Sequence, residues 1–310
     1  MASSDNWAAI LAGGDGQRLR SFTRTLTGDE RPKQFCRLLG THTLLADTRQ
    51  RVCLHVASER TVYVVTRAHE PFYRDEFADT SGWQVIAQPV NRGTTAAVLY
   101  ALRRLRARGA DGALGLFPAD HFYSDPAAFR RTIEAAYALA HARPHAIVLV
   151  GAEPDRPETE YGWIEPGPAL HGTRLLPGLG AARSVKRFAE KPSADVARAL
   201  MGRRSLWNTM IVVGRLSAFD ELLAAAVPEL RHEFAALDDA PSPDAEAAIV
   251  GAIYDAIGSS DFSRDVLASQ PERLAVVNLR DSGWTDLGQP ARVLDVLARR
   301  NASDTHQAAG

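Results

Sequence analysis

Four charged side chains, widely spaced in the chain, are of the types that chemistry at a phosphate needs: Arg18, Lys33, Asp120 and Asp286. Transfer at phosphorus asks a protein for positioning and for positive charge on the phosphate oxygens, usually with a divalent metal. Magnesium prefers carboxylates and keeps several waters. Arg18 closes the segment Leu11-Ala12-Gly13-Gly14-Asp15-Gly16-Gln17-Arg18-Leu19. Its glycines let the backbone approach a ligand, and their N–H groups can bind phosphate. A P-loop is excluded, because Gln17-Arg18 follows the last glycine where Lys-Ser/Thr is required. A dinucleotide fingerprint is excluded too, because Leu19 stands where its third glycine belongs. A glycine run after a strand is also an ordinary turn, so the loop alone decides nothing.

Lys33 lies in Glu30-Arg31-Pro32-Lys33-Gln34-Phe35, just behind a stiffening proline. Arg18 and Lys33 flank one loop and can converge on a triphosphate; taken singly, each also reads as solvated surface charge. The chain has three lysines (Lys33, Lys186, Lys191) against 33 arginines. A lysine retained against that preference points to a use for its compact, mobile ammonium. Asp120, in Phe117-Pro118-Ala119-Asp120-His121, follows an apolar run and would stand at the carboxyl edge of a sheet, where open α/β sheets bind ligands. It would also serve as a helix cap. Asp286, in Gly283-Trp284-Thr285-Asp286-Leu287-Gly288, reads either as a ligand or as a turn residue between glycines.

The elements that must position these groups show in the hydrophobic pattern. Strands are predicted over 7–12, 61–65, 84–87, 112–117 and 146–151, and helices over 43–53, 94–108 and 126–142. Strands separated by helices of that length imply βαβ units and a mostly parallel sheet with helices on both faces. Strands over 161–165 and 184–190 flank a Gly/Pro/Leu-rich loop at 171–180, and a further strand covers 206–213. The pattern is helical over 216–257, broken at Pro228 and at the loop 238–244; a last strand spans 274–278 and a last helix 289–300. Residues 301–310 read as a small, polar, disordered tail. With no clear linker, residues 1–300 are expected to form one domain, with a first part over 1–152 and a second, partly helical part over 153–300. Thr94 is expected to cap its helix.

Composition narrows the class. Charged residues make up 24% and the net charge is -1, so no basic field is present to attract nucleic acid or a membrane surface. Two cysteines, Cys36 and Cys53, make no disulfide framework and read as reduced thiols. No apolar run reaches the roughly 18–20 residues of a membrane helix, and the start of the chain lacks a signal-peptide pattern. A cytoplasmic protein is expected.

The segment Leu11–Leu19 followed by Arg31-Pro32-Lys33-Gln34-Phe35 resembles the signature of sugar-1-phosphate nucleotidyltransferases, the mannose-1-phosphate guanylyltransferases above all. The resemblance implies the nucleotide-diphospho-sugar transferase fold, a Rossmann-like α/β sheet. It assigns nucleotide binding to Leu11 and Ala12, triphosphate binding to Gly13, Gly14, Gly16 and Arg18, and charge stabilisation to Arg18 and Lys33, and it makes 1–152 the nucleotide-binding part and 153–300 the sugar-binding and helical part. The elements around Asp120 and Asp286 are similar to those that hold Mg2+ (or Mn2+) between nucleotide and sugar phosphate, which makes Arg18, Lys33 and Asp120 the catalytic set and Asp120 and Asp286 the metal ligands. Gln88-Pro89-Val90-Asn91-Arg92-Gly93-Thr94 resembles the base-side element Glu-Pro-x-x-Arg-Asn-Thr, with Gln88 for the acid and Gly93 for Asn; Gln88, Arg92 and Thr94 are its nucleotide-binding candidates. Phe188-Ala189-Glu190-Lys191-Pro192 and Tyr161-Gly162-Trp163 resemble the sugar side. Trp207-Asn208-Thr209-Met210 resembles Trp-Asn-Ser-Gly-Met without its glycine. Tyr161, Gly162, Glu190, Lys191 and Asn208 are therefore the sugar-phosphate candidates.

The expected reaction joins GTP and mannose-1-phosphate to give GDP-mannose and pyrophosphate. Glucose-1-phosphate or another triphosphate is the alternative within the class. A non-catalytic nucleotide-sugar binder that regulates a partner is the alternative outside it, against which stands the full charge set. His121 reads as structural, because an ionised sugar phosphate needs no base. A homodimer is compatible with this reading.

Overall fold

The computed structural model describes residues 5–172, 180–238, 240 and 242–308, with side chains given as far as residue 300. Most of the expected loop 171–180 therefore lies outside the described residues. Nine strands form one sheet: β1 Asn6–Leu11, β2 Thr61–Thr66, β3 Val85–Gln88, β4 Ala113–Pro118, β5 Ile147–Ala152, β6 Trp163–Ala169, β7 Arg183–Ala189, β8 Leu206–Arg215 and β9 Leu274–Leu279. The helices are α1 Arg20–Thr27, α2 Leu44–Cys53, α3 Glu70–Tyr73, α4 Thr94–Ala107, α5 Pro126–Ala142, α6 Ala194–Gly202, α7 Leu216–Ala226, α8 Pro228–Ala235, α9 Pro243–Ala256 and α10 Pro290–Ala308.

The strand order is β3-β2-β1-β4-β8-β5-β9-β7-β6, with β6 also pairing β8. Seven strands run the same way, and β7 and β8 oppose them. Side chains alternate across the sheet. Ala9, Val62, Val64, Leu114 and Leu116 enter the core on one face, and Ala8, Ile10, Tyr63, Val65 and Phe117 the core on the other. Burial on both faces is why the strands read as continuous apolar runs. Because β8 lies between β4 and β5, the first four strands and the last five share one sheet.

The sheet's carboxyl edge gathers the chemistry-bearing loops. β1 runs into the glycines, β3 into Pro89–Gly93, β4 into Asp120 and β9 towards Asp286. The start of β8 reaches the same edge, Asn208 pairing with Gly151. β6 and β7 extend the sheet past it and bring Gly162 and Glu190 beside Asn208. A third apolar cluster joins Leu19, Leu38, Leu39, Leu44, Leu287, Val293 and Val296. It docks α10 beside the loops that carry Lys33 and Asp286.

Two expectations need correction. The N-cap of α4 is Gly93, not Thr94. Thr94 Oγ1 instead accepts from the Phe262 N–H at 2.9 Å, tying the turn to a segment far along the chain. The stretch 301–308, read as a tail, continues α10. Once docking of Val293 and Val296 has nucleated the helix, each added residue needs only propagation, which is far easier.

Candidate active site

Arg18, Lys33, Asp120 and Asp286 line one cleft of about 250 Å³, together with Gly16, Gln17, His121 and Gly288. The glycine loop is held from below. Gln34, buried, donates through Nε2 to the carbonyls of Ala12 (2.9 Å) and Gly14 (2.8 Å), and Thr66 Oγ1 donates to that of Gly13 (2.8 Å). Three carbonyls held in this way fix the backbone of the loop. Gly16 has φ 62°, and a Cβ there would come within 3.2 Å of Lys33 N, so the loop and the Pro32-Lys33 turn touch. Asp15 is drawn aside by Asn91 Nδ2 (3.0 Å) and His69 (3.5 Å).

Lys33 is buried, and its ammonium lies 3.1 Å from Asp120 Oδ2 while donating to the carbonyl of Asp286. Arg18, half exposed, donates to Asp286 Oδ2 at 3.2 Å and lies 3.8 Å from Glu160. Asp286 Oδ1 accepts from Tyr161 Oη (2.8 Å), the Gly288 N–H (2.8 Å) and Arg292 (2.5 Å). Burial alone would raise the Asp286 pKa. The Lys33 ammonium, with His121 and Arg292, more than offsets this and holds the carboxyl well below the usual range. The two carboxylate loops are stitched together by Phe122 and Thr285, whose N–H groups donate to each other's carbonyls at 3.0 and 3.1 Å.

Asp120 is not a helix cap; Asp125 caps α5 by accepting from Ala127 N (2.8 Å) and Ala128 N (3.0 Å). His121 is buried, and Trp284 Nε1 donates to its Nδ1 at 3.2 Å. Burial pushes its pKa down to about 4. A neutral ring of this kind supports the loop and does not act as a base near neutral pH.

On the base side, Gln88 is buried against Gly13, where an added Cβ would lie 2.6 Å from Gln88 Nε2. Its Oε1 accepts from Tyr254 Oη at 2.9 Å. Arg92 donates through Nε to the Tyr254 carbonyl at 2.9 Å, leaving its terminal nitrogens for other partners. On the sugar side, Gly162 packs against Glu190 and Asn208: a Cβ on it would lie 2.7 Å from Glu190 Oε2 and 3.2 Å from Asn208 Cβ. Burial pushes the Glu190 pKa up to about 7, with Asp261 adding to the rise. Lys191 has φ 43° and an exposed side chain, and its N–H donates to the Tyr161 carbonyl at 3.2 Å. Lys186, itself exposed, pairs with the buried Glu165 at 2.9 Å, so this lysine has a structural use.

The structure thus brings the phosphate-type candidates into one cleft and gathers Gly162, Glu190 and Asn208 beside one another. Tyr161 is turned from the sugar side to Asp286. Sequence reasoning missed Gln34 and Arg292. Gln34 lies within the quoted signature, but nothing in its type revealed a bond to the glycine loop. Arg292 is one arginine among 33.

Over residues 7–302 the chain matches the family model described as Nucleotidyl transferase. The chain belongs to the nucleotidyl transferase family. It is 30% identical over 307 residues to the xanthan biosynthesis protein XanB of Xanthomonas campestris, covering 98% of this chain and 62% of the relative. It is 27% identical over 304 residues to the mannose-1-phosphate guanylyltransferase of Escherichia coli, covering 96% and 61%. The chain therefore spans about three-fifths of the length of these relatives. Among solved structures, a protein of Thermus thermophilus described as mannose-1-phosphate geranyltransferase superposes with a TM-score of 0.77 at 30% identity, covering 92% of this chain and 76% of that one. Within this nucleotidyl transferase fold, no helix among the described residues is long and apolar enough to cross a membrane.

Met210 ends the Trp207-Asn208-Thr209-Met210 segment. It has φ 61°, the left-handed conformation a glycine would adopt there.

Proposed function

We propose that the chain is a sugar-1-phosphate nucleotidyltransferase that forms GDP-mannose and pyrophosphate from GTP and mannose-1-phosphate. One observation carries the reading: two cations and two carboxylates from four separate segments share a single cleft at the sheet's carboxyl edge. That set suits a reaction whose barrier is mainly electrostatic.

An oxygen of the sugar-1-phosphate attacks the α-phosphorus of GTP in line. The new O–P bond forms as the bond from the α-phosphorus to its β-bridging oxygen breaks, and pyrophosphate leaves with that electron pair. The attacking phosphate is already ionised, so no general base is needed, in keeping with the neutral His121. The glycine loop, pinned by Gln34, offers N–H groups to the triphosphate. Arg18 and Lys33 release Asp286 and Asp120 and turn to the phosphate oxygens. Asp120 and Asp286 Oδ2 are hard oxygen donors of the kind that would hold Mg2+ or Mn2+. When bound, the ion would neutralise phosphate charge and align the reacting groups. Gln88 and the free nitrogens of Arg92 would face the base, and Gly162, Glu190, Lys191 and Asn208 the sugar phosphate.

A panel of four nucleoside triphosphates against mannose- and glucose-1-phosphate, read as pyrophosphate release with Mg2+ present, tests the reading. GTP with mannose-1-phosphate should be the best pair. Preference for glucose-1-phosphate or another base would overturn the substrate assignment. Binding of nucleotide without release from any pair would favour the regulator.

A further inference from the structure

Met210 lies inside a strand with φ 61°, a left-handed conformation in which a non-glycine residue is strained. The surroundings over-determine that conformation. The register between β5 and β8 shifts there, the Met210 N–H donates to Asn208 Oδ1 (3.1 Å), and Thr209 Oγ1 donates to the Val150 carbonyl (2.7 Å). Its effect is to aim the thioether at two buried donors. The sulfur accepts from Asn208 Nδ2 at 3.3 Å and from Ser263 Oγ at 3.1 Å, and both residues are buried. Asn208 Nδ2 also donates to Ser263 Oγ at 3.4 Å, and Asn208 in turn packs on Gly162 beside Glu190, so the sulfur adjoins the cluster proposed to meet the sugar.

A thioether is a weak acceptor, and it presents an apolar methyl to its surroundings. A sugar hydroxyl would be a better partner for both donors. A site that must hydrogen-bond a hydroxyl rejects the analogue lacking it strongly, whereas an apolar pocket discriminates only weakly.

Building on the nucleotidyltransferase reading, we infer that Met210 is a specificity-determining residue: by covering the Asn208 and Ser263 donors it lets the site take a sugar-1-phosphate that lacks the hydroxyl facing them. The ligand class is therefore a hexose-1-phosphate or its deoxy counterpart, accepted with little discrimination between the two.

The test compares kcat/KM for mannose-1-phosphate with that for its 2-, 3-, 4- and 6-deoxy analogues, in the wild type and in Met210→Gly. Wild type should favour the parent sugar over one of these analogues by less than about tenfold. In Met210→Gly the ratio at that same position should rise at least about tenfold, as the uncovered donors come to require the hydroxyl. Met210→Ala, which removes the thioether without adding backbone freedom, should shift it in the same direction, so a poorly folding glycine variant would not hide the effect. Ratios within about twofold of wild type in both variants, with turnover intact, would overturn the inference while leaving the nucleotidyltransferase reading standing. No pyrophosphate from any sugar with any of these enzymes would overturn both.

Discussion

Asp286 and Asp120 occupy one cleft but differ in what else depends on them. Asp286 is bonded to Tyr161, Arg292, Gly288 and Arg18, whereas Asp120 meets Lys33 and His121. Either Asn substitution should lower turnover by at least about 10³, roughly 4 kcal/mol in the barrier. Asp286→Asn should also destabilise the fold by about 2–4 kcal/mol, because buried Arg292 keeps only Glu158 as a charged partner. Asp120→Asn should cost about 1 kcal/mol. Pyrophosphate release and urea unfolding together separate the two effects, and equal stability losses would contradict the anchoring role. Glu190 gives a pH test. Its folded pKa of about 7 lies above the ordinary value of 4.5, so the folded state holds this proton more tightly than the unfolded chain. Its contribution is full below pH 4.5, falls as pH rises to about 7 and is flat above. Glu190→Gln should remove a slope on the order of 2 kcal/mol over that window, after discounting for partial exposure. Melting curves of the two proteins that stay parallel from pH 4.5 to 8 would refute it. At this scale the cationic and acidic candidates were legible, because their types and their places after apolar runs name the chemistry. Tyr161 and Met210 were not, since a hydroxyl's partner and a backbone dihedral depend on distant neighbours.

The base-side turn shows how elements are locked to one another. Gly93 has φ 84°, and a Cβ there would lie 2.2 Å from the Ser260 carbonyl oxygen. The turn is held by Ser260 N donating to the Arg92 carbonyl (3.1 Å) and by Phe262 N donating to Thr94. Gly93→Ala should therefore destabilise by more than about 2 kcal/mol and raise KM for the triphosphate about tenfold, because Gln88 and Arg92 hang from the same turn. A variant with unchanged melting temperature and KM would show that the two segments move freely. Strands and helices with clear periodicity were readable to within one or two residues, as with α5 and β9. α1 was not recognised because its sequence RSFTRTLT buries Thr23 alone, so no apolar stripe marks it. The turn of π-helix over Phe262–Leu267 carries Ser263 and has no sequence signature.

For the whole molecule, one continuous sheet carries both the loops of the cleft and the cluster of Gly162, Glu190 and Asn208, to which β8 contributes Asn208. The order of the motifs made the fold readable before any coordinate was known. The antiparallel insertion of β8 between β4 and β5 was not readable, because pairing partners distant in the chain leave no local pattern. If Arg18, Lys33, Asp120 and Asp286 meet around one α-phosphate, a crystal structure of the protein with Mn2+ and a non-hydrolysable GTP analogue, with the metal located by its anomalous scattering, will show it. The expected peak lies about 2.0–2.2 Å from carboxylate oxygens of both Asp120 and Asp286, with Lys33 and Arg18 within about 3 Å of phosphate oxygens. A metal bound elsewhere, or a triphosphate that none of these four side chains approaches, would contradict it.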